Sequence, residues 1–173
     1  LAQVAAEGIA RGQVIVVGAY DANRNIAGFS NRAGITANTY LTALGVGVRS
    51  FDQTGQAFLY DGTSFSAPYV AGAVALLAQA FPNLTGAQIV QLLFDSADDL
   101  GTAGTDAVYG RGGLNVGRAF APRGATSLAG AKVAVDLAGS SAALSPAMGD
   151  AAQTGMGAIV LDSFSRAYAV DLA

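Results

Sequence analysis

The sequence contains no histidine, no cysteine and no tryptophan, and its single lysine is Lys132. Histidine is the commonest general base near neutral pH and the commonest metal ligand, so these 173 residues build neither a histidine-dependent triad nor a histidine zinc site by themselves. The missing cysteines exclude thiol nucleophiles, thiolate metal sites and disulfides; such a chain suits an oxidising compartment without requiring one. Charge is scarce as well. Nine Lys+Arg against twelve Asp+Glu leave a net charge of −3, which provides no basic surface for nucleic acid or an anionic membrane. No apolar run approaches the roughly 20 residues of a membrane helix, so no membrane-spanning segment is expected. The first residue is Leu1 and no basic-then-apolar leader follows it, so the expectation is a processed product or an excised fragment.

What is present is small and apolar. The 37 alanines and 23 glycines together form about 35% of the chain, and 52% of all residues are hydrophobic. A chain of this length buries roughly 70% of its unfolded surface, and this composition is far from that of a disordered segment. One globular domain, or most of one, is expected, with elements in close approach.

Residues 12–20, GQVIVVGAY, place four β-branched residues between glycines, the pattern of a strand covered on both faces in a parallel sheet. Residues 21–34 read as loop or hairpin. Residues 41–51 predict one more short strand and residues 56–60 another, ending at Asp61 and Gly62. The period then changes: Val70, Val74 and Leu77, interleaved with Ala67, Ala71, Ala75 and Ala78, predict a buried helix over 64–80. Pro82 ends it. Thr85 with Gln88 forms a capping-box pattern opening a second helix that runs to about Ser96. Residues 98–118 contain six glycines and read as a turn-rich return to the core. Beyond a boundary near Arg123, segments 132–137, 158–164 and 167–172 predict strands of a β-rich appendage, with a loop over 138–152. The division is therefore residues 1–122 and residues 123–173, in an α/β chain with a parallel sheet.

The chemistry concentrates in residues 60–77, YDGTSFSAPYVAGAVALL, where a strand ends, glycine turns the chain and a hydroxyl residue opens a helix. Unpaired N–H groups and the positive end of the macrodipole at a helix N-terminus favour developing negative charge. The N–H of a serine placed there can donate to a tetrahedral oxyanion, a contact worth about 3–4 kcal/mol in a hydrolase. Gly62 permits close approach of a substrate backbone. Pro68 has no N–H for the Ser64 carbonyl and loosens the first turn at the serine. The plainer reading of Thr63 and Ser64 is a helix cap.

The full string GTSFSAPYVAG resembles the serine motif of the subtilisin-like serine proteases. VIVVGAYDANRNIAGFSNRAG, upstream, and YGRGGLNVGRA, downstream, resemble the same family in order and spacing, so the likeness covers roughly residues 12–119. It implies the C-terminal part of a three-layer peptidase domain. Ser64 matches the nucleophile, Gly62 and Thr63 shape its turn, Pro68 supports the motif, and the Ser64 N–H is one oxyanion donor. Tyr69 stands where the family often has a non-catalytic histidine, and Leu44 where it usually has proline. The family's Asp, His and oxyanion Asn lie upstream of the resembling segment, and Asn23, Asn25, Asn31 and Asn38 take none of those roles. The resemblance therefore implies a serine endopeptidase whose Asp, His and Asn come from an N-terminal segment or chain of the same precursor. This chain alone is expected to be inactive. A protein or peptide is the implied substrate. No cofactor is identified, and calcium is admitted by the resemblance only. The strings LSPAMGDA at 144–151 and IVLDSFSRAYAVDLA at 159–173 resemble the region after the catalytic domain in bacterial autotransporter-type subtilases. An extracytoplasmic location follows: secreted, periplasmic or on a bacterial cell surface.

Other candidates have plainer readings. Asp98 and Asp99 are adjacent and read as a solvated turn rather than an acid/base pair. Asp61 reads as a turn residue, and Asn83-Leu84-Thr85 as a cap rather than a glycosylation site. Lys132 is a remote candidate for a Ser-Lys dyad, and the sedolisin-like peptidases, which pair Ser with Glu and Asp, are a minor alternative. The competing function is a non-catalytic extracellular adhesin, stem or assembly module that retains a relic serine motif.

Overall fold

The computed structural model describes residues 4, 5, 7–131, 133–135 and 157–171. The chain divides into two compact units, Leu1–Phe120 and Ala121–Ala173.

The β-branched run at 14–17 favours extended backbone, but strand β1 (Val16–Tyr20) takes in only its second half, and Val14, 39% exposed, precedes the strand instead of lying covered on both faces. The strand pairs in parallel with β2 (Tyr40–Leu44), Val16 opposite Tyr40 and Tyr20 opposite Leu44. Residues 41–51 are not one strand, as the sequence suggested. The chain turns at Gly45 and at Gly47, where φ is +66°, and resumes as β3 (Val48–Phe51). An Asp52 turn reverses β3 into β4 (Ala57–Tyr60), with Val48 opposite Tyr60 in an antiparallel hairpin.

Helix α1 (Thr63–Ala80) follows at once and packs on β1, β2 and helix α2 (Gly86–Ser96). Its Val70, Ala73 and Leu77 are buried with Leu41, Ala43, Ile89, Leu92 and Leu93, each large side chain contributing about 1.5–3 kcal/mol. Alpha-helix α2 begins with the expected capping box: Gln88 N donates to Thr85 Oγ1 at 3.3 Å, and Thr85 N to Gln88 Oε1 at 2.9 Å. The glycine-rich return then lies along β2. Thr42 N donates to Gly112 O and Leu114 N to Thr42 O, both at 2.8 Å. On its other side Gly112, at φ +113°, comes so close to the backbone after α2 that a Cβ would lie 2.2 Å from Asp98 O. The return closes in a short helix α3 (Val116–Phe120), which the turn-rich composition did not reveal.

Asp98 is not the solvated turn residue expected. It is half-buried and accepts from Arg24, from Asn115 Nδ2 at 2.8 Å and from Arg118 Nη1 at 3.2 Å. Burial pushes its carboxyl up, but these donors outweigh burial and hold it below the usual carboxylate range. Asp99 does behave as a turn residue, accepting from Gly104 N at 2.9 Å.

The second unit is an antiparallel sheet in the order β5 (Ser127–Leu128), β6 (Gly157–Leu161), β7 (Ala167–Asp171). The segment 132–137 forms no strand of that sheet where it is described; Ala134 makes a single bridge to Ser127. Lys132, residues 136–137 and the loop over 138–152 lie outside the described residues. At the β6–β7 turn Asp162 accepts from the backbone of Phe164 and Arg166, at 2.9 and 3.0 Å. It also pairs with the Arg166 guanidinium at 2.6 Å, both side chains being fully buried. Arg166 Nη2 reaches Ala121 O at 2.8 Å, and the guanidinium lies 5.4 Å from the Tyr168 ring centroid. Burial pushes the Tyr168 phenol up to about 12. Breaking a buried pair from one side leaves an uncompensated charge and costs about 3–5 kcal/mol. Asp162→Ala should therefore destabilise this unit by that amount in chemical denaturation, while Asp162→Leu/Arg166→Met should cost much less. Equal losses would mean that packing, not charge, holds the turn.

Candidate active site

The segment leading to Ser64 is set by two glycines. Gly62 N donates to Gly45 O at 2.7 Å, tying the end of β4 to the loop after β2. Gly62 itself sits at φ 157°, ψ 149°, a region in practice restricted to glycine. Asp61 accepts from Gly47 N at 2.7 Å and fixes the same junction from the side. The chain then enters α1, with Phe65 N donating to Gly62 O at 3.0 Å.

Ser64 is exposed on the first turn. Among the described residues, neither its hydroxyl nor its N–H has a hydrogen-bond partner. Two roles thus remain open to it: a hydroxyl free to attack, and an N–H at the positive end of an 18-residue helix free to donate. Pro68 lies within α1 as predicted and leaves the Ser64 carbonyl without its helical donor. The N-cap of α1 is Gly62, so neither Thr63 nor Ser64 occupies the cap position.

The surroundings are aromatic on one side. Tyr60 and Phe65 stack with centroids 5.2 Å apart and an interplanar angle of 22°, and Phe58 meets Tyr60 edge-on at 6.2 Å. Ser64 also lines a cleft of about 450 Å³ formed by Val48, Arg49, Ser50, Phe65, Pro68 and Tyr69. Beneath the serine, Ser66 is fully buried, and its hydroxyl has no hydrogen-bond partner among the described residues.

A family description, the subtilase family, matches residues 2–112. The chain belongs to the subtilase family. Its likeness to subtilisin DY of Bacillus licheniformis is 38% identity over 103 residues, 60% of this chain and 35% of that protein. The Neisserial autotransporter lipoprotein NalP of Neisseria meningitidis is 38% identical over 91 residues, 53% of this chain and 8% of NalP. Among solved structures, the patellamide maturation protease PatA superposes with a TM-score of 0.53 at 31% identity, over 62% of this chain and 42% of that one. The chain thus spans about a third or less of the curated relatives described. The subtilase fold is an α/β fold, and serine proteolysis is the chemistry of the family.

Gly62, Thr63 and Ser64 are consecutive and Pro68 follows four residues later, so the structure places all four at the start of α1. Gly45, Arg49 and Ser66 were not identified. Only Gly45 left a trace, through the local departure at Leu44. Lys132 lies outside the described residues, and a Ser-Lys dyad with it. Among the described residues, no three His, Cys, Asp or Glu side chains are grouped to hold a metal ion. No described helix is long and apolar enough to cross a membrane.

Proposed function

We propose that this chain carries the nucleophile of a serine endopeptidase and works with a second segment that supplies the base. Ser64 Oγ attacks the scissile carbonyl as its proton passes to a histidine of that segment. The Ser64 N–H and an asparagine of the segment hold the oxyanion. The same histidine then protonates the leaving amine, and water releases the acyl group by the reverse sequence. An aspartate orients the histidine. The observation that carries this reading is the exposed, unengaged Ser64 hydroxyl at the first turn of α1 in a subtilase chain without histidine.

A second observation supports the missing segment. Helix α1 has no charged residue, yet Ala67, Ala71, Ala75 and Leu76 are exposed, Leu76 by 52%. A helix apolar all round belongs in an interior. Beside it a cleft of about 480 Å³ is lined by Ile15, Val17, Ala67, Val70, Ala71 and Val74. Along Val16–Gly18 the edge of β1 facing away from β2 has no strand partner among the described residues, an invitation to strand addition. We assign residues 1–122 to the peptidase domain and residues 123–173 to an appendage or stem. The location is extracytoplasmic and bacterial, in line with a relative named an autotransporter.

The test is intact-mass analysis of natively purified material before and after a fluorophosphonate probe. A co-purifying histidine-bearing chain and one adduct on Ser64 are expected. A pure chain of this sequence that hydrolyses peptides, losing activity with Ser64→Ala, refutes the need for a second segment. A single chain that never labels points instead to the adhesin, stem or assembly role.

A further inference from the structure

Arg49 shares the cleft with Ser64, and among the described residues no carboxylate lines that cleft. Among the described residues Arg24, Arg111, Arg118 and Arg166 are ion-paired, whereas Arg49, like Arg11 and Arg32, is exposed and forms no such pair, and of these three it is Arg49 that shares the cleft with Ser64. Its guanidinium carbon lies 5.8 Å from the Phe51 ring centroid, so the side chain rests on an aromatic face. In a chain of net charge −3, an unanswered cation beside an exposed nucleophile is an asymmetry that a ligand can use.

We propose that this cleft is a substrate subsite that selects a carboxylate next to the bond cut at Ser64, with Arg49 as the specificity-determining residue. The inference rests on the reading of Ser64 as nucleophile. A guanidinium takes a carboxylate through two parallel N–H donors, which provides geometry as well as attraction. Ser50 and Tyr69 line the same cleft, and each carries a hydroxyl able to donate. The walls contributed by Val48, Phe65 and Pro68 are apolar, and a substrate seated against them excludes water and strengthens the pair. The N-terminus of α1 opens onto the same cleft and adds to its positive potential.

The carboxylate has two sources: an Asp or Glu side chain, or the free C-terminus of a short peptide. The experiment profiles cleavage of a defined peptide library by the natively purified protein, together with any chain that accompanies it. Each peptide is offered with a free and an amidated C-terminus. Enrichment of Asp or Glu next to the cut in amidated peptides identifies the side chain; cleavage that needs the free terminus identifies the latter. In Arg49→Gln the acidic-to-neutral preference should fall about tenfold. Arg49→Glu should reverse it toward Lys and Arg, and Arg49→Lys should retain part of it. An unchanged preference in Arg49→Gln, or no acidic preference in the parent protein, overturns the proposal while leaving the nucleophile intact. Absence of any cleavage overturns the reading of Ser64 and this inference with it.

Discussion

Ser64→Ala is expected to abolish peptide hydrolysis and fluorophosphonate labelling in the complemented protein while leaving its thermal midpoint almost unchanged. The two halves of that result have separate physical causes. Without Oγ no acyl-enzyme forms, and removal of the serine from a subtilisin lowers kcat by about 10⁶-fold. What rate survives comes from oxyanion stabilisation and substrate binding, which the backbone N–H of an alanine still supports. Stability is spared because the hydroxyl is exposed and makes no hydrogen bond among the described residues. Its loss strands no buried partner, and exposed substitutions of this kind fall within about 0.5 kcal/mol. Activity assays with calorimetry on the same preparations decide the matter. Retained hydrolysis in Ser64→Ala would remove the serine from the mechanism. A collapsed midpoint would mean that the hydroxyl has a structural role instead.

Gly45→Ala is expected to damage stability and activity together. An added Cβ would lie 2.3 Å from Ser66 Oγ, 2.6 Å from Ala19 Cβ and 2.9 Å from Gly62 O. The Ser66 hydroxyl can rotate away, but Ala19 belongs to β1 and Gly62 O to the backbone that leads into Ser64. Overpacking of this kind costs about 1–3 kcal/mol. The strain also enters the Gly62 N to Gly45 O bond of 2.7 Å, two residues before Ser64. A misplacement of about 1 Å there is enough for a 10²-fold loss in rate. Denaturant unfolding and kcat/KM on the complemented protein read the two effects separately. Ser66→Ala provides the contrast: its hydroxyl is buried without a partner among the described residues, so truncation should be neutral or mildly stabilising. In the double variant it should relieve only the share of the clash due to Ser66. Full recovery would show that the contact with Gly62 carries no weight.

Much of this was legible from residues alone because it depends on near neighbours. The capping box needs only Thr85 and Gln88, three positions apart. Helix α1 needs a 3.6-residue period and Pro82, and the run at 14–17 needs only its β-branching to predict an extended strand. The motif at 62–68 is legible for the same reason, since glycine, serine and proline act on adjacent peptide units. The chemistry excluded by absent histidine and cysteine follows from composition and no folding can restore it.

The rest required the chain to be folded. Residues 41–51 carry one apolar pattern, and whether they form one strand or two depends on what Gly45 must avoid, namely Ala19, Ser66 and Gly62. Asp98 looks like an ordinary turn residue until Arg24, Asn115 and Arg118 arrive from 74, 17 and 20 positions away. The charge state of a group is a property of its neighbours in space, and Arg49 beside Ser64 is likewise a juxtaposition made by the β3–β4 hairpin. The sequence by itself therefore determined the motif around Ser64, on which the proposed nucleophile rests, and the absence of histidine, on which the proposal of a base from elsewhere rests. Tertiary structure alone decided which cation shares a cleft with Ser64 and which apolar faces stay uncovered among the described residues, because those depend on contacts between residues far apart in the chain.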